Sequence, residues 1–174
     1  EFFISNIVGL TLAFLSLASG VIFYMIANRF GAWAPLLVPY TDFLNTKIPW
    51  VYALLIGLFP AVNEEAVSRM FSIPFLQKYL KSTFGAVLLS SVIWGFAHAG
   101  YPNQPFFIRG IEVSLGGLVL ATVMLRLNII TTIITHYTIN AFLVSFIFLL
   151  RSHNIYFIIS GAITAGIMFV PLLV

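Results

Sequence analysis

Apolar residues run in long blocks along this chain, and the short polar stretches between them mark out helices that cross a bilayer. A spanning helix needs about 20 apolar residues. Phe2 to Ala27 supplies such a run and ends at Asn28-Arg29. Ile48 to Phe71 supplies a second and Thr83 to His98 a third. Phe106 to Leu125, Ile129 to Leu150 and Ile155 to Val174 supply three more. Phe30 to Thr46 is broken by Pro35 and Pro39 and carries Trp33, Tyr40 and Asp42, which predicts an interfacial loop or short re-entrant piece with aromatics at headgroup level. Ser72-Ile73-Pro74 is expected to end or kink the second run, because proline disfavours helix at the residue before it. Phe75 to Lys81, with Gln77, Lys78 and Lys81, then reads as an amphipathic segment at the surface. Residues 99–105 form a loop, and 126–128 and 151–154 form turns. Within the fourth run, Ser114-Leu115-Gly116-Gly117 is small enough to let another helix come close. The pattern predicts an all-α, polytopic membrane helical bundle of about six transmembrane helices. Residues 1–47 hold the first helix and its loop, and 48–174 the helical core.

Composition sharpens this picture. The 174 residues are 61% hydrophobic and 7% charged, where a soluble domain carries about 25% charged residues. An integral, multi-pass membrane protein is expected, in the cell membrane, with the lipid bilayer as its first partner. The net charge of +3 suits a membrane surface and offers no patch for nucleic acid. Cysteine is absent, which excludes disulfides and thiolate metal sites. The first apolar run is too long for a signal peptide and lacks a basic leader, and a start at Glu1 without methionine reads as part of a longer protein. Arg29, Lys47, Arg109 and Arg151 fall on one side, Lys78, Lys81 and Arg126 on the other. That balance does not set an orientation.

One stretch does not belong in lipid. Asn63-Glu64-Glu65-Ala66-Val67-Ser68-Arg69 lies inside the second run, where each charge costs at least ~2.5–3.5 kcal/mol near the bilayer centre. Glu65 and Arg69 are i, i+4 with the acid first, the favourable order for a helical ion pair. That pairing leaves Glu64 as the odd carboxylate and the better candidate for chemistry. Arg109 and Glu112, three apart, can pair in the same way. His98 follows Trp94 by one turn at the end of the third run, and His136 precedes Asn140 by one turn inside the fifth. Two strong polar groups on one stripe of a spanning helix should face the bundle interior. His153 sits among Arg151 and Ser152 in a turn and reads as a surface residue. The threonines of the fifth run can bond to carbonyls of the preceding turn and need no further role.

These groups fall at related depths. Glu64 lies about eight residues, roughly 12 Å, before the break near Ser72, and His136 about nine residues, roughly 14 Å, after the turn at Leu127. His98, about fifteen residues or roughly 22 Å from the start of its run, comes out some two turns deeper. Tilt or a later helix start would close that gap. One carboxylate, two imidazoles and an amide suit peptide hydrolysis: a carboxylate and a histidine hold and deprotonate water, and a second histidine and an asparagine donate to the oxyanion. The same donors could bind zinc or another divalent metal, since one Glu and two His form a catalytic zinc set. No HExxH spacing is present.

Glu64-Glu65-x-x-x-Arg69, an aromatic-x-x-x-His98 and His136-x-x-x-Asn140, in this order on separate spans, resemble the type II CAAX prenyl endopeptidase family, the group of CAAX proteases and bacteriocin-processing or self-immunity proteins. The resemblance covers about Ile48 to Leu150. It implies that Glu64 and His98 activate water, that His136 and Asn140 serve the oxyanion, and that Glu65 and Arg69 are a structural pair. The second motif usually has phenylalanine four residues before the histidine; here it is Trp94, to which substrate binding is assigned. The implied enzyme is an intramembrane endopeptidase acting on membrane-anchored or hydrophobic, including prenylated, peptide substrates. It would need no cofactor, although members are often labelled metalloproteases. The rivals are a non-catalytic scaffold or self-immunity protein of the same fold, and a transporter or proton relay.

Overall fold

The structure is a computed structural model that describes residues 2–35 and 46–170. The expected interfacial loop with Pro39, Tyr40 and Asp42 lies outside the described residues, as do the last four residues of the sixth run. Six helices carry the described chain: α1 (Phe2–Asn28), α2 (Pro49–Leu80), α3 (Thr83–Phe96), α4 (Ile108–Arg126), α5 (Ile129–Leu150) and α6 (Ile155–Ile167). The fold is an all-α helical bundle. Among the described residues the only extended pairing is an isolated bridge between Trp33 and Gln104.

Four of the six, α1, α2, α4 and α5, are long and apolar enough to cross a membrane. The other two are shorter. With 14 residues, α3 spans roughly 21 Å at helical rise, less than a hydrocarbon core of about 30 Å. It ends at Phe96, so His98 stands in the turn beyond the helix rather than on it.

The second helix also departs from expectation. It does not stop at Ser72-Ile73-Pro74 but continues to Leu80, and Phe75 to Lys81 forms its last turns instead of a separate surface segment. The reason lies just upstream. Residues Ala66–Phe71 are wound as a π-helix, and Ser72 bonds to the Val67 carbonyl through both its backbone N–H and its hydroxyl, the latter at 2.7 Å. The wider turn resets the register, so that Pro74 falls in the first turn of the α-helical part that follows, where its missing N–H and its ring are tolerated. Lys81 then closes the helix with a left-handed backbone (φ 54°), and Ser82 caps α3 by accepting from Gly85 N at 3.1 Å.

This extension removes the depth mismatch. Glu64 lies sixteen residues before Leu80, roughly 24 Å, and His98 fifteen residues after Thr83, roughly 22 Å. Across the α2–α3 hairpin the two groups are level.

Small residues set the helix contacts around the site. A Cβ on Gly57 of α2 would lie 3.0 Å from both the Ala141 Cβ and the Tyr137 ring on α5. On α3, a Cβ at Gly95 would run into Ser114 and come within 2.7 Å of the Gly110 carbonyl on α4. Gly117, in the small stretch singled out in the fourth run, faces Ser91 and Trp94 in the same way, whereas Gly116 faces open space. Close approach of this kind is how membrane helices gain packing energy in the absence of a hydrophobic drive between them. The first helix packs along α5, where Ser5 and Asn128 are hydrogen-bonded and Asn128 also caps the helix through Thr131 N at 2.8 Å.

Candidate active site

The carboxylates of Glu64 and Glu65 point to different neighbours, as adjacent helical residues about 100° apart must. Glu65 is fully buried. Its Oε2 faces Arg69 Nε at 3.3 Å across one helical turn, and its Oε1 accepts from His136 Nδ1 at 2.8 Å. Arg69 is equally buried, with its guanidinium 3.9 Å from the centre of the Trp94 ring. Removing either charge would leave the other stranded in a low-dielectric interior. The expected ion pair is therefore present, and the pairing of Glu65 with the fifth span is an addition to it. Nothing local announces that contact, because it joins residues 71 apart in sequence.

Glu64 is the more open of the two, with its side chain 33% exposed. Three groups converge on its Oε2. Trp94 Nε1–H donates to it at 2.7 Å, His98 Nε2 lies 3.7 Å away, and His136 Nε2 lies 3.9 Å away. The Trp94 ring stands edge-on to both imidazoles, at 5.1 Å from His98 and 5.6 Å from His136. Trp94 thus belongs to the wall of the site and holds Glu64 directly, a role that its position in the motif does not reveal.

The hydrogen bonds also orient the rings. His98 Nδ1 sits 2.9 Å from the Trp94 carbonyl, an acceptor, so that nitrogen carries the proton and Nε2 of the neutral ring presents a lone pair toward Glu64. His136 Nδ1 donates to Glu65, which leaves its Nε2 toward Glu64 as well. Asn140 lies one turn beyond His136 on the same side of α5 and is half buried. No hydrogen bond ties its amide to another described residue. His153 is exposed in the α5–α6 turn, far in sequence from these groups and outside the cluster.

A model of the type II CAAX prenyl endopeptidase Rce1-like family matches residues 46–142, more than half of the chain. The chain belongs to this family. No curated protein and no solved structure matches it. The matched interval of this Rce1-like protein holds Glu64, Glu65, Arg69, Trp94, His98, His136 and Asn140, while α1 and α6 lie outside it. At the level of the family, the protein is a membrane-embedded protease of CAAX type.

The geometry of the donors bears on the zinc alternative. Among the described residues no group of three His, Asp or Glu side chains has the arrangement of a metal site. The Glu64 oxygen that faces both imidazoles already accepts the Trp94 N–H.

Proposed function

We propose that this Rce1-like protein is a multi-pass intramembrane endopeptidase, embedded in the cell membrane, that hydrolyses membrane-anchored or hydrophobic peptides, prenylated CAAX tails among them. The observation that carries the reading is the convergence of His98 Nε2 and His136 Nε2 on one oxygen of Glu64. Neither histidine is within direct hydrogen-bond range of that oxygen. Carboxylate and neutral imidazole are both acceptors there, and a water between them can donate one O–H to each.

In the proposed step Glu64 and His98 take a proton from that water as its oxygen attacks the scissile carbonyl carbon. The carbonyl π-bond pair moves onto oxygen, where the Asn140 amide donates to it, joined by His136 when that ring is doubly protonated, with Nδ1–H on Glu65 and Nε2–H on the oxyanion. Collapse of the tetrahedral intermediate breaks the C–N bond, and the proton taken from water passes to the leaving amine. Glu65 holds His136 by its Nδ1, so that the other nitrogen faces the reacting carbonyl. Trp94 fixes the Glu64 carboxylate and lines the site beside the substrate.

The test is a quenched fluorogenic peptide with a prenylated CAAX end, presented to the enzyme in liposomes. Glu64→Gln and His98→Ala should each lower turnover by about 10²–10⁴-fold, the usual worth of general-base catalysis. Full turnover by Glu64→Gln of a peptide that the wild type cuts would falsify the mechanism. A strong chelator should leave the wild-type rate unchanged; loss of activity that zinc restores would put a metal at the site. A folded wild type that cuts no hydrophobic or prenylated peptide would point to the non-catalytic scaffold.

A further inference from the structure

Arg109 and Glu112 stand in the first turns of α4, and the chemistry proposed above uses neither. Their side chains pair i to i+3 and are only 27% and 20% exposed. A charged pair in an apolar bundle carries a desolvation cost that its own attraction often fails to offset, and charges kept in such places usually serve the interior. The remaining faces of Arg109 are turned to the loop between α3 and α4. Its guanidinium lies 5.3 Å from the centre of the Tyr101 ring, within cation–π range. Tyr101 in turn stacks on the His98 imidazole, with ring centres 6.0 Å apart and planes 26° from parallel.

The loop that presents Tyr101 is tied down from the other side by the first helix and the residues after it. Asn103 donates to the Tyr24 hydroxyl at 2.7 Å, and that hydroxyl is also within hydrogen-bond reach of Arg109. Trp33 and Gln104 exchange both backbone hydrogen bonds, at 2.7 and 2.8 Å. His98 itself stands past the end of α3, and its Nδ1 bond to the Trp94 carbonyl fixes one ring atom only. About that atom the ring can swing within the limits that its neighbours set: the Trp94 ring stands at a steep angle to it, 5.1 Å away, and the Tyr101 ring stacks on its face.

We propose that Arg109, held by Glu112, is a positioning residue for His98: it fixes the Tyr101 ring, whose face keeps the imidazole with Nε2 toward Glu64. The inference rests on the reading of His98 as a water-activating group, and its test separates the two. Purified protein in detergent is labelled with diethyl pyrocarbonate, and modification of His98 is followed by peptide mapping, with exposed His153 as the internal standard. In Tyr101→Ala and Arg109→Ala, His98 labelling should rise about fivefold to tenfold, the scale of a lost aromatic contact. Tyr101→Phe keeps the ring and Arg109→Lys keeps the charge, and both should label close to wild type. Tyr101 lies in the loop, so its alanine variant spares the helices and carries the test even where Arg109→Ala fails to fold. On the prenylated peptide, kcat should fall by a similar factor with KM within about twofold. Unchanged His98 labelling in Tyr101→Ala would overturn the proposal. Raised labelling with undiminished kcat supports the contact and removes His98 from the chemistry instead, as a fully active His98→Ala would also do.

Discussion

The two imidazoles that face Glu64 are held by different means. His136 stands well inside a 22-residue helix, is almost fully buried, and has its Nδ1 fixed by a carboxylate that is itself locked to Arg69. His98 stands past the end of a 14-residue helix, is more open, and is held by a backbone carbonyl and by ring contacts with Trp94 and Tyr101. Around His136 the restraint is charge in a low-dielectric interior. Around His98 it is close packing: α3 lies against α4 at a distance that only glycine at position 95 permits. A site built this way has one wall whose loss costs stability and another whose loss costs geometry. Variants on the two walls should separate accordingly.

The largest effect should come from the charged wall. Glu65→Ala removes the partner of Arg69 and the partner of His136 in one change, leaving a guanidinium buried and unpaired. A loss of about 3–5 kcal/mol is expected, as for other broken buried pairs, read as a fall in folded yield and melting temperature in detergent. Arg69→Ala should do less damage, since Glu65 keeps His136, but it too should lower folded yield along with activity. A normally folded, fully active Arg69→Ala would remove the argument that charge stabilises this wall.

The packed wall is probed by Gly95→Ala. The added methyl meets the Ser114 hydroxyl, the Ser114 backbone nitrogen and the Gly110 carbonyl on α4, and the last two are backbone that no rotamer change can move. The helices must separate, at a cost of about 1–3 kcal/mol, and His98 should move with the end of α3. Activity should therefore fall further than stability alone accounts for, and a melting curve beside an activity assay on the still-folded fraction measures both.

The histidines themselves give the direct contrast. His136→Ala strands the Glu65 Oε1 acceptor in a fully buried position, a loss of about 1–3 kcal/mol. His98→Ala strands no buried carboxylate and should lose less, about 0.5–1.5 kcal/mol for its ring contacts, although both should lower turnover steeply. Equal melting temperatures for the two variants would erase the distinction between the walls.

Much of this was open to the sequence because charge in an apolar run is conspicuous. Glu64, Glu65 and Arg69 stand out by residue type alone, the i, i+4 spacing gives the ion pair, and the bounds of the fifth helix, Ile129–Leu150, follow from its apolar run. What stayed hidden depends on tertiary contact or on backbone register. The Glu65–His136 bond joins distant segments. The run of α2 through Pro74 depends on a π-helical turn that residue type does not announce, and with it goes the depth of Glu64. The same π turn explains why the apparent two-turn gap to His98 vanishes. Among the described residues, four of the six helices are long and apolar enough to span, while α3 ends at Phe96 and α6 at Ile167 and are shorter. Of the threonines in the fifth helix, Thr132 and Thr135 bond back to carbonyls at 2.7 and 2.8 Å, but the buried Thr138 hydroxyl has no hydrogen-bond partner among the described residues.

The smallest expected effect falls where the walls meet. Trp94 lies against Arg69 on the charged side and against His98 on the packed side, and its Nε1–H is bonded to Glu64. Trp94→Phe keeps an aromatic face for Arg69 and an edge for the imidazoles while deleting that single donor. Glu64 is partly open, so water can replace the lost partner, and the net worth of one such bond is about 1 kcal/mol. Turnover should therefore drop by about fivefold, with the melting temperature nearly unchanged. Trp94→Ala, which removes the ring as well, should lose both stability and turnover. If Trp94→Phe instead loses as much activity as Glu64→Gln, the indole N–H is part of the chemistry and not merely a restraint on the carboxylate. The site would then depend on a donor that a phenylalanine at this position would not supply.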